Sequence, residues 1–295
     1  MKYEFRDTVR FSEVDESGYL TLTALVNYFQ DTAIFQSEKG GIGFDYLKPK
    51  NQAWLLASWQ IEIDHMPVLC DEITVATWTY EFKAFYGYRN FVLYDAQGNK
   101  AAWANSVWFL CDTKYQMPVK IDERSLAVYG TEPRIEMEYL PRKIALPGLG
   151  ITENGSTEGK TQEAFGTEGK TQEAFGTEGK TQEAFGTEGK TQEAFGTEGK
   201  TQEAFSTEGK IQEAFKIERH HLDTNHHVNN GQYIDMAVQY LPQDAQVTRV
   251  RAEYKMQAHL GDEMVPVVFE DGKLWTIALN NREGKAYAVV QLTIK

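Results

Sequence analysis

Residues 222–230 read LDTNHHVNN and lead directly into an amphipathic run over 231–241. If this segment is extended, Asp223, Asn225 and His227 occupy alternate positions, so that their side chains face the same way. A carboxylate, an amide and an imidazole would then lie together just before a helix begins. The stretch therefore predicts a polar site at a junction between a strand and a helix.

The predicted helix start adds hydrogen-bond donors to this site. Asn229 or Asn230 is well suited to cap the helix, whose free N–H groups favour developing negative charge. Such donors beside the three polar side chains suit the hydrolysis of an activated acyl group. An alternative stays open, in which the asparagines only cap the helix and the histidines are surface polar groups.

The same segment resembles the active-site signature of the acyl-ACP thioesterases of plants and bacteria. The signature reads Asp-x-Asn-x-His-x-x-Asn-x-x-Tyr-Ile and occupies residues 223–234. Further matches to this family lie at residues 53–58, 61–63, 66–67, 71–75, 77–78, 89–91 and 106–108. The resemblance covers about 1–147 and 211–295, which is everything except one insert.

The order of predicted elements occurs twice along the chain. Residues 3–15 form a predicted strand that leads into a helix over 21–37, and residues 211–223 form a predicted strand that leads into the second helix. After each helix come four β-rich runs, at 54–63, 73–82, 89–95 and 101–112 in the first half and at 247–257, 264–270, 273–280 and 286–294 in the second. Strand, helix and four antiparallel strands, twice over, indicate an α+β fold.

The resemblance implies that each half is a hotdog domain, an antiparallel curled sheet around a long helix. The expected division is an N-terminal hotdog at 1–147, a linker at 148–210 and a C-terminal hotdog at 211–295. We expect the N-terminal domain to hold the acyl-chain pocket and the C-terminal domain to hold the catalytic motif.

An internal alignment of the two halves supports the assignment of the catalytic motif to the C-terminal domain alone. It places Asp15 opposite Asp223, but Ser17 and Tyr19 stand opposite the asparagine and histidine of the motif. Only the second half keeps all three polar groups. We expect the substrate to be bound by Asn230 and by the pocket residues Val26, Phe29, Ala33 and Trp54.

The insert consists of six nearly identical decamers of the type TEGKTQEAFG, over residues 156–215. Two glycines per unit disfavour a helix, and one phenylalanine in ten residues cannot offset the entropy of ordering the unit. We expect a disordered, flexible linker, although a β-solenoid that stacks the phenylalanines is the alternative. The last copy differs, because Ile211 replaces threonine, and we expect it to supply the first strand of the second domain.

Composition and charge narrow the classes of partner. The decamers account for −6 of the formal charge of −13, and the remaining −7 argues against nucleic-acid binding. No run has the apolar length needed to span a bilayer, and the two cysteines give no disulfide framework. We expect a cytoplasmic protein and leave a homodimer open.

The resemblance implies an acyl carrier protein as partner, with its acyl chain linked through 4′-phosphopantetheine. That carrier is itself acidic, so that docking needs a local basic patch. Candidates are Arg142, Lys143, Arg249, Arg251 and Lys255, although a solvated face is the favoured interpretation of these residues.

Thioester hydrolysis needs a nucleophilic water and donors aimed at the oxygen that becomes negative. The resemblance assigns this work to Asp223, Asn225 and His227. We expect Asp223 to orient the amide or the water, and His227 to position the carbonyl or to relay the proton. The N–H groups near Asn230 would stabilise the oxyanion.

The chain departs from the family in one segment of the catalytic domain. The family has Glu-Tyr-x-x-Glu followed by cysteine or a small residue, whereas here Glu253 is followed by Gln257 and Ala258. Neither Cys70 nor Cys111 lies in this segment, which excludes a Cys–His–Asn mechanism there.

Gln257 remains a predicted catalytic residue because it can hold the water by hydrogen bonds. A neutral amide cannot take a proton from that water. Either His227 or Asp223 then acts as the base, or the activity is weak.

We predict hydrolysis of fatty acyl-ACP to free fatty acid and holo-ACP, in fatty acid biosynthesis, with no cofactor. Three alternatives stay open: an acyl-CoA thioesterase, another hotdog enzyme such as a hydratase, and a weakly active acyl-binding protein. The pairs His220–His221 and His226–His227 lack a surrounding cysteine or carboxylate cluster, so that we predict no metal site.

Overall fold

A computed structural model describes residues 2–147 and 209–295. The strands are β1 (Tyr3–Thr8), β2 (Gln52–Ile63), β3 (Glu72–Lys83), β4 (Tyr86–Tyr94), β5 (Lys100–Asp112), β6 (Met117–Pro118), β7 (Lys210–Ile211), β8 (Phe215–Lys216), β9 (Val247–Tyr254), β10 (Glu263–Asp271), β11 (Leu274–Asn280) and β12 (Ala286–Ile294). The helices are α1 (Leu22–Lys39), α2 (Phe44–Leu47), α3 (Glu123–Tyr129) and α4 (Asn230–Val238).

All described strands belong to one antiparallel sheet, and the strand order repeats within it. The first half runs β1-β3-β4-β5-β2, and the second half runs β9-β12-β11-β10-β7, which is the same order read from the opposite edge. The halves join where β2 pairs with β9, with Trp59 opposite Ala252 and Ile61 opposite Val250. The predicted α+β fold of two tandem hotdog domains is confirmed.

Helices α1 and α4 lie against this sheet and close one shared core. Phe29, Leu25 and Val26 of α1 and Ile234 and Ala237 of α4 are fully buried in the same cluster. The burial of each of the four larger side chains contributes about 1.5–3 kcal/mol. One core under both halves keeps the two helices in fixed register.

The helices touch each other at the start of α4. A Cβ added to Gly231 would lie 3.3 Å from the Asn27 side chain, and the hydroxyl of Thr23 donates to the Asp235 carboxylate at 3.0 Å. Glycine at this position therefore lets α4 begin close against α1. This packing brings residues of the first half to the loop that precedes α4.

The predicted strand over 211–223 is wrong for most of its length. Only β7 and β8 are strands, and a 3-10 turn over Arg219–His221 follows them. The short strands pair with β10 at the sheet edge, where β1 pairs with β3 in the other half. The last decamer copy thus supplies the edge strand, as expected, whereas the remaining copies and the predicted linker character lie outside the described residues.

The segment after α3 is bound to the outer face of the sheet. The backbone N–H of Ile144 donates to the buried Glu253 carboxylate at 3.0 Å, and Arg251 donates to the carbonyl of Pro141 at 2.6 Å. Arg249 donates hydrogen bonds to both Glu62, at 2.7 Å, and Glu138, at 3.1 Å.

Among the described residues, no helix is long and apolar enough to cross a membrane.

Candidate active site

The motif loop is a tight turn and not the extended segment that alternate spacing predicts. The backbone N–H of Asp223 donates to the carbonyl of His227 at 2.8 Å, and Leu222 and Val228 form an isolated bridge. His226 has a left-handed φ of 63° inside the turn. The predicted common face of the three side chains therefore does not arise from strand alternation.

The Asp223 carboxylate closes this turn. Its Oδ1 accepts from the backbone N–H groups of Asn225, at 2.8 Å, and His227, at 3.2 Å. The Asn225 amide nitrogen lies 3.5 Å from Oδ2. Three of the predicted catalytic residues are thus held in one small loop, with Asp223 bound mainly to backbone.

The first half contains the same turn with different side chains. Asp15 accepts from the N–H groups of Ser17, at 2.9 Å, and Tyr19, at 3.0 Å, and its own N–H donates to Tyr19 at 2.9 Å. Gly18, with a φ of 81°, takes the place of His226. The internal alignment made from sequence is therefore confirmed in three dimensions.

A second loop lies against each of these turns. In the second half it is the loop after β9, where the carbonyl of Ala258 accepts from the N–H of Val228 at 3.0 Å. The His259 ring then contacts the His227 ring edge-on, with 5.0 Å between centroids. In the first half Pro67 accepts in the same way from Leu20, at 2.8 Å.

Two tyrosines fix the second loop and the start of α4. The hydroxyl of Tyr233 accepts from the N–H of Ala258 at 3.2 Å, and that of Tyr254 donates to the carbonyl of Asn230 at 2.9 Å. The two rings pack together with 5.7 Å between centroids. Burial raises the pKa of both hydroxyls, which therefore stay protonated and serve as hydrogen-bonding groups.

The side chains of Asn229 and Asn230 form different hydrogen bonds at the start of α4. The side chain of Asn229 accepts from the N–H of Gly231 at 2.8 Å and is the N-cap of α4. The side chain of Asn230 donates to Gln30 of α1 at 3.1 Å. Because Asn230 is the first helical residue, its backbone N–H has no partner within the helix and stands beside the motif loop.

His227 is half-buried, whereas Asn225 is exposed. Burial, and then the neighbouring His259, lower the pKa of the His227 imidazole below its ordinary value of 6.5, although Asp223 acts in the opposite direction. The ring is therefore neutral at pH 7 and can accept a proton.

Gln257 and Glu253 lie in different surroundings, although they stand at the two glutamate positions of the family's Glu-Tyr-x-x-Glu motif. Gln257 is exposed in the loop beside Ala258. Glu253 is buried and holds Ile144 and Lys255, the latter at 3.3 Å, away from the motif loop. Only Gln257 therefore lies in the loop that bonds to the motif turn, next to Ala258.

The predicted acyl-pocket residues lie deeper in the first half. Val26, Phe29 and Ala33 are buried along α1, with the Phe29 ring 6.0 Å from that of Trp59. Trp54 is half-buried and contacts Tyr129 at 6.1 Å between centroids, near the far end of α1. Val26, Phe29 and Ala33 therefore belong to the shared core and not to the polar loops.

His259 and Gln30 contact the predicted site residues but were not predicted from the sequence. His259 stands two residues after Gln257, and a third imidazole beside the family motif was the available signal. No sequence pattern pointed to Gln30, because its contact with Asn230 depends on the packing of α1 against α4.

Two of the basic residues considered for docking, Arg249 and Arg251, form hydrogen bonds within the fold. The described residues contain no cluster of metal-ligating side chains.

Comparisons with known proteins bear on both halves of the chain. The family model of the acyl-ACP thioesterase N-terminal domain matches residues 1–129, and that of the C-terminal domain matches residues 205–287. No curated protein sequence matches the chain.

Among the solved structures that are similar along the chain, two are acyl-ACP thioesterases from different kinds of organism. An acyl-ACP thioesterase from Bacteroides thetaiotaomicron has a TM-score of 0.73 and 18% identity, covering 100% of this chain and 98% of that one. A 12:0-ACP thioesterase from Umbellularia californica has a TM-score of 0.69 and 13% identity, covering 100% and 97%. At these identities the likeness shows the fold.

The two domain matches span both halves of the sheet, and the second includes the motif loop and the loop after β9. The chain therefore belongs to the acyl-ACP thioesterase family, the enzymes that hydrolyse the thioester of fatty acyl-ACP.

Proposed function

We propose that the motif loop and the loop after β9 form the active site of this thioesterase. The observation that carries the proposal is the approach of His227 to the Gln257–His259 segment, beside the first N–H groups of α4. Asp223, Asn225, His227 and Gln257 are the proposed catalytic residues.

Each proposed residue has a physical task. Asp223 holds the turn through its backbone hydrogen bonds and thereby positions the other two motif residues. Asn225 and His227 hold the thioester carbonyl and the attacking water, which Gln257 also binds. The backbone N–H of Asn230 faces the oxygen that becomes negative, where a preorganised donor is worth most.

The acyl chain is proposed to enter along α1. It would pass the Asn230–Gln30 contact and lie against Val26, Phe29 and Ala33, with Trp54 farther on. Because these side chains are closely packed, they must shift to admit it. Ala33→Phe should therefore move the released fatty acids towards shorter chains, whereas an unchanged profile would contradict this path.

The division into an acyl-receiving domain at 1–147 and a catalytic domain at 211–295 belongs to the same proposal. We also propose the acyl carrier protein as the bound partner and the cytoplasm as the compartment. Free thiols such as Cys70 and Cys111 remain reduced there. Size-exclusion chromatography of the full chain, with and without acyl-ACP, tests both a carrier complex and a homodimer.

The decisive experiment compares hydrolysis of acyl-ACP, acyl-CoA and enoyl-CoA by the purified full chain. We expect free fatty acid from acyl-ACP, with a larger kcat/KM than for the matching acyl-CoA. Faster turnover of acyl-CoA, or hydration of the enoyl thioester, would contradict the proposed substrate. Tight retention of the acyl chain without turnover would identify an acyl-binding protein instead.

A further inference from the structure

The two halves differ most sharply at one position of the second loop. His259 occupies the place that Val68 occupies in the first half. Each backbone N–H donates to an aspartate three residues later, at 2.8 Å for His259 to Asp262 and at 2.9 Å for Val68 to Asp71. Each loop also has a left-handed residue just before that aspartate, Gly261 or Cys70.

This shared backbone places an imidazole next to the motif histidine only in the second half. The His227 and His259 rings meet edge-on, at 83° between planes and 5.0 Å between centroids. In the first half the corresponding residues, Tyr19 and Val68, form an isolated bridge, and neither side chain can take a proton at neutral pH. The imidazole pair is therefore an addition to the loops and not a requirement of the turn.

Charged groups surround the pair on several elements. The Asp262 carboxylate lies 3.7 Å from the Nδ1 of His259, and the hydroxyl of Tyr287 lies 3.3 Å from the same carboxylate. Asp223 and His226 act on His227 from within the motif loop. The Asp262 carboxylate is thus held against the His259 loop by the backbone N–H of His259 and by the Tyr287 hydroxyl.

Position 257 carries an amide where the family has a carboxylate, and Gln257 cannot take a proton. The Oδ1 of Asp223 accepts from two backbone N–H groups, and His227, which can also accept a proton, is proposed to hold the thioester carbonyl. His259 lies in the same loop as Gln257, is more than half exposed and so is open to water and substrate. We propose that His259 is the general base of this enzyme and supplies the function of the carboxylate absent at position 257.

The step balances without any further reactant, and it rests on the proposed thioester hydrolysis. A nitrogen of His259 takes one proton from the water while the water oxygen forms a bond to the thioester carbon. His227 and the Asn230 N–H hold the carbonyl oxygen as it becomes negative. The carbon–sulfur bond then breaks, and the proton passes from the imidazolium to the leaving thiolate, giving free acid and thiol.

The test is a set of variants of the full chain assayed on acyl-ACP. His259→Ala should lower kcat by about a hundredfold or more, with KM nearly unchanged. Gln257→Glu in that background should restore at least about tenfold, because a carboxylate again stands beside the water. The acid limb of the kcat profile should then move to lower pH, since Glu ionises about two pH units below His.

Matched controls separate chemistry from packing. His220→Ala removes another exposed imidazole, one that packs against His221, and should keep wild-type kcat. His259→Asn retains a polar side chain if the alanine variant unfolds. Circular dichroism of each variant checks folding.

Each outcome either supports or contradicts the assignment of His259 as the general base. Wild-type kcat in a folded His259→Ala or His259→Asn variant would overturn the assignment of the base while leaving the thioesterase intact. Loss of activity without rescue by Gln257→Glu, and without movement of the acid limb, would also overturn it. A wild-type chain inactive on every thioester would overturn the proposed function together with this inference.

Discussion

The turn that begins at Asp15 and the turn that begins at Asp223 share one backbone and differ in what they carry. Both aspartates close the turn through two N–H groups, and both turns contain a left-handed residue. Polar side chains that can act on a thioester project from the second turn, whereas the first carries Ser17 and Tyr19. The backbone of both turns therefore depends on the aspartate, whereas the proposed chemistry depends on the side chains that follow it in the second turn.

The surroundings of the two turns differ in the same sense. In the first half Tyr19 and Val68 are exposed aromatic or apolar side chains, and His227 and His259 stand at the corresponding positions of the second half. The first half therefore repeats the backbone of the two loops without the two imidazoles, which makes Tyr19 and Val68 matched controls for their counterparts.

The largest expected effect comes from removing the motif imidazole. His227→Ala should lower kcat on acyl-ACP by about a hundredfold or more, because a group that acts in the transition state is lost. Tyr19→Ala, its counterpart, should leave kcat near the wild-type value. Steady-state kinetics with circular dichroism tests the pair, and equal losses would mean that the comparison of the turns is wrong.

The aspartates should behave alike in stability and differently in activity. Asp15→Ala and Asp223→Ala each remove an acceptor of two backbone N–H groups, which should lower the free energy of unfolding by about 1–2 kcal/mol. Only Asp223→Ala should also reduce kcat, since its turn carries Asn225 and His227.

Urea unfolding and kinetics of both variants measure these effects. A large loss of kcat in Asp15→Ala would show that the first turn takes part in the reaction. Wild-type kcat in a destabilised Asp223→Ala variant would remove Asp223 from the proposed site.

The free energy of unfolding should depend on pH through the His227 imidazole, which has no ionisable counterpart at Tyr19 near neutral pH. Burial and His259 lower the pKa of His227 in the folded state, so that the unfolded chain binds more protons below about pH 6.5. The free energy of unfolding should therefore fall as the pH drops through and below that value. Urea titrations at pH 7.5 and 5.5 should show a smaller fall in His227→Gln, and an equal fall would place the titrating group elsewhere.

The smallest effect is expected from shortening the repeat. Deleting residues 156–205 keeps the last copy and its strands β7 and β8, so that activity should stay within about twofold because loop-closure entropy depends weakly on length. Deleting 156–215 removes the edge strands and should destabilise the second half. Thermal unfolding of both variants tests this, and equal destabilisation would give the repeat a structural role.

Much of the fold was predictable because its elements have strong local patterns. The strand predicted at 286–294 coincides with β12, and the helix predicted at 21–37 differs from α1 by two residues at its end. The strand predicted over 247–257 instead ends at Tyr254, because the loop that follows bonds to the motif turn. Boundaries were thus missed where a tertiary contact overrides strand propensity.

The site was predictable only in part for a related reason. Alternate spacing in 223–227 resembles a strand, but the Asp223 side chain offers the backbone a competing turn. His259 and Gln30 reach the motif loop through sheet register and helix packing, which a local pattern does not contain. Residues of one loop were therefore found, whereas their partners from other segments were not.

By itself, the sequence determined the doubled order of strand, helix and four strands, the motif over 223–234, and the loss of a carboxylate at Gln257. Hydrophobic periodicity and residue chemistry are local properties, so that they can be read along the chain. Only the tertiary structure decided that His259 meets His227 and that Glu253 faces the other side of the sheet. Those contacts depend on how distant segments pair and pack, which is fixed only when both halves share one sheet and one core.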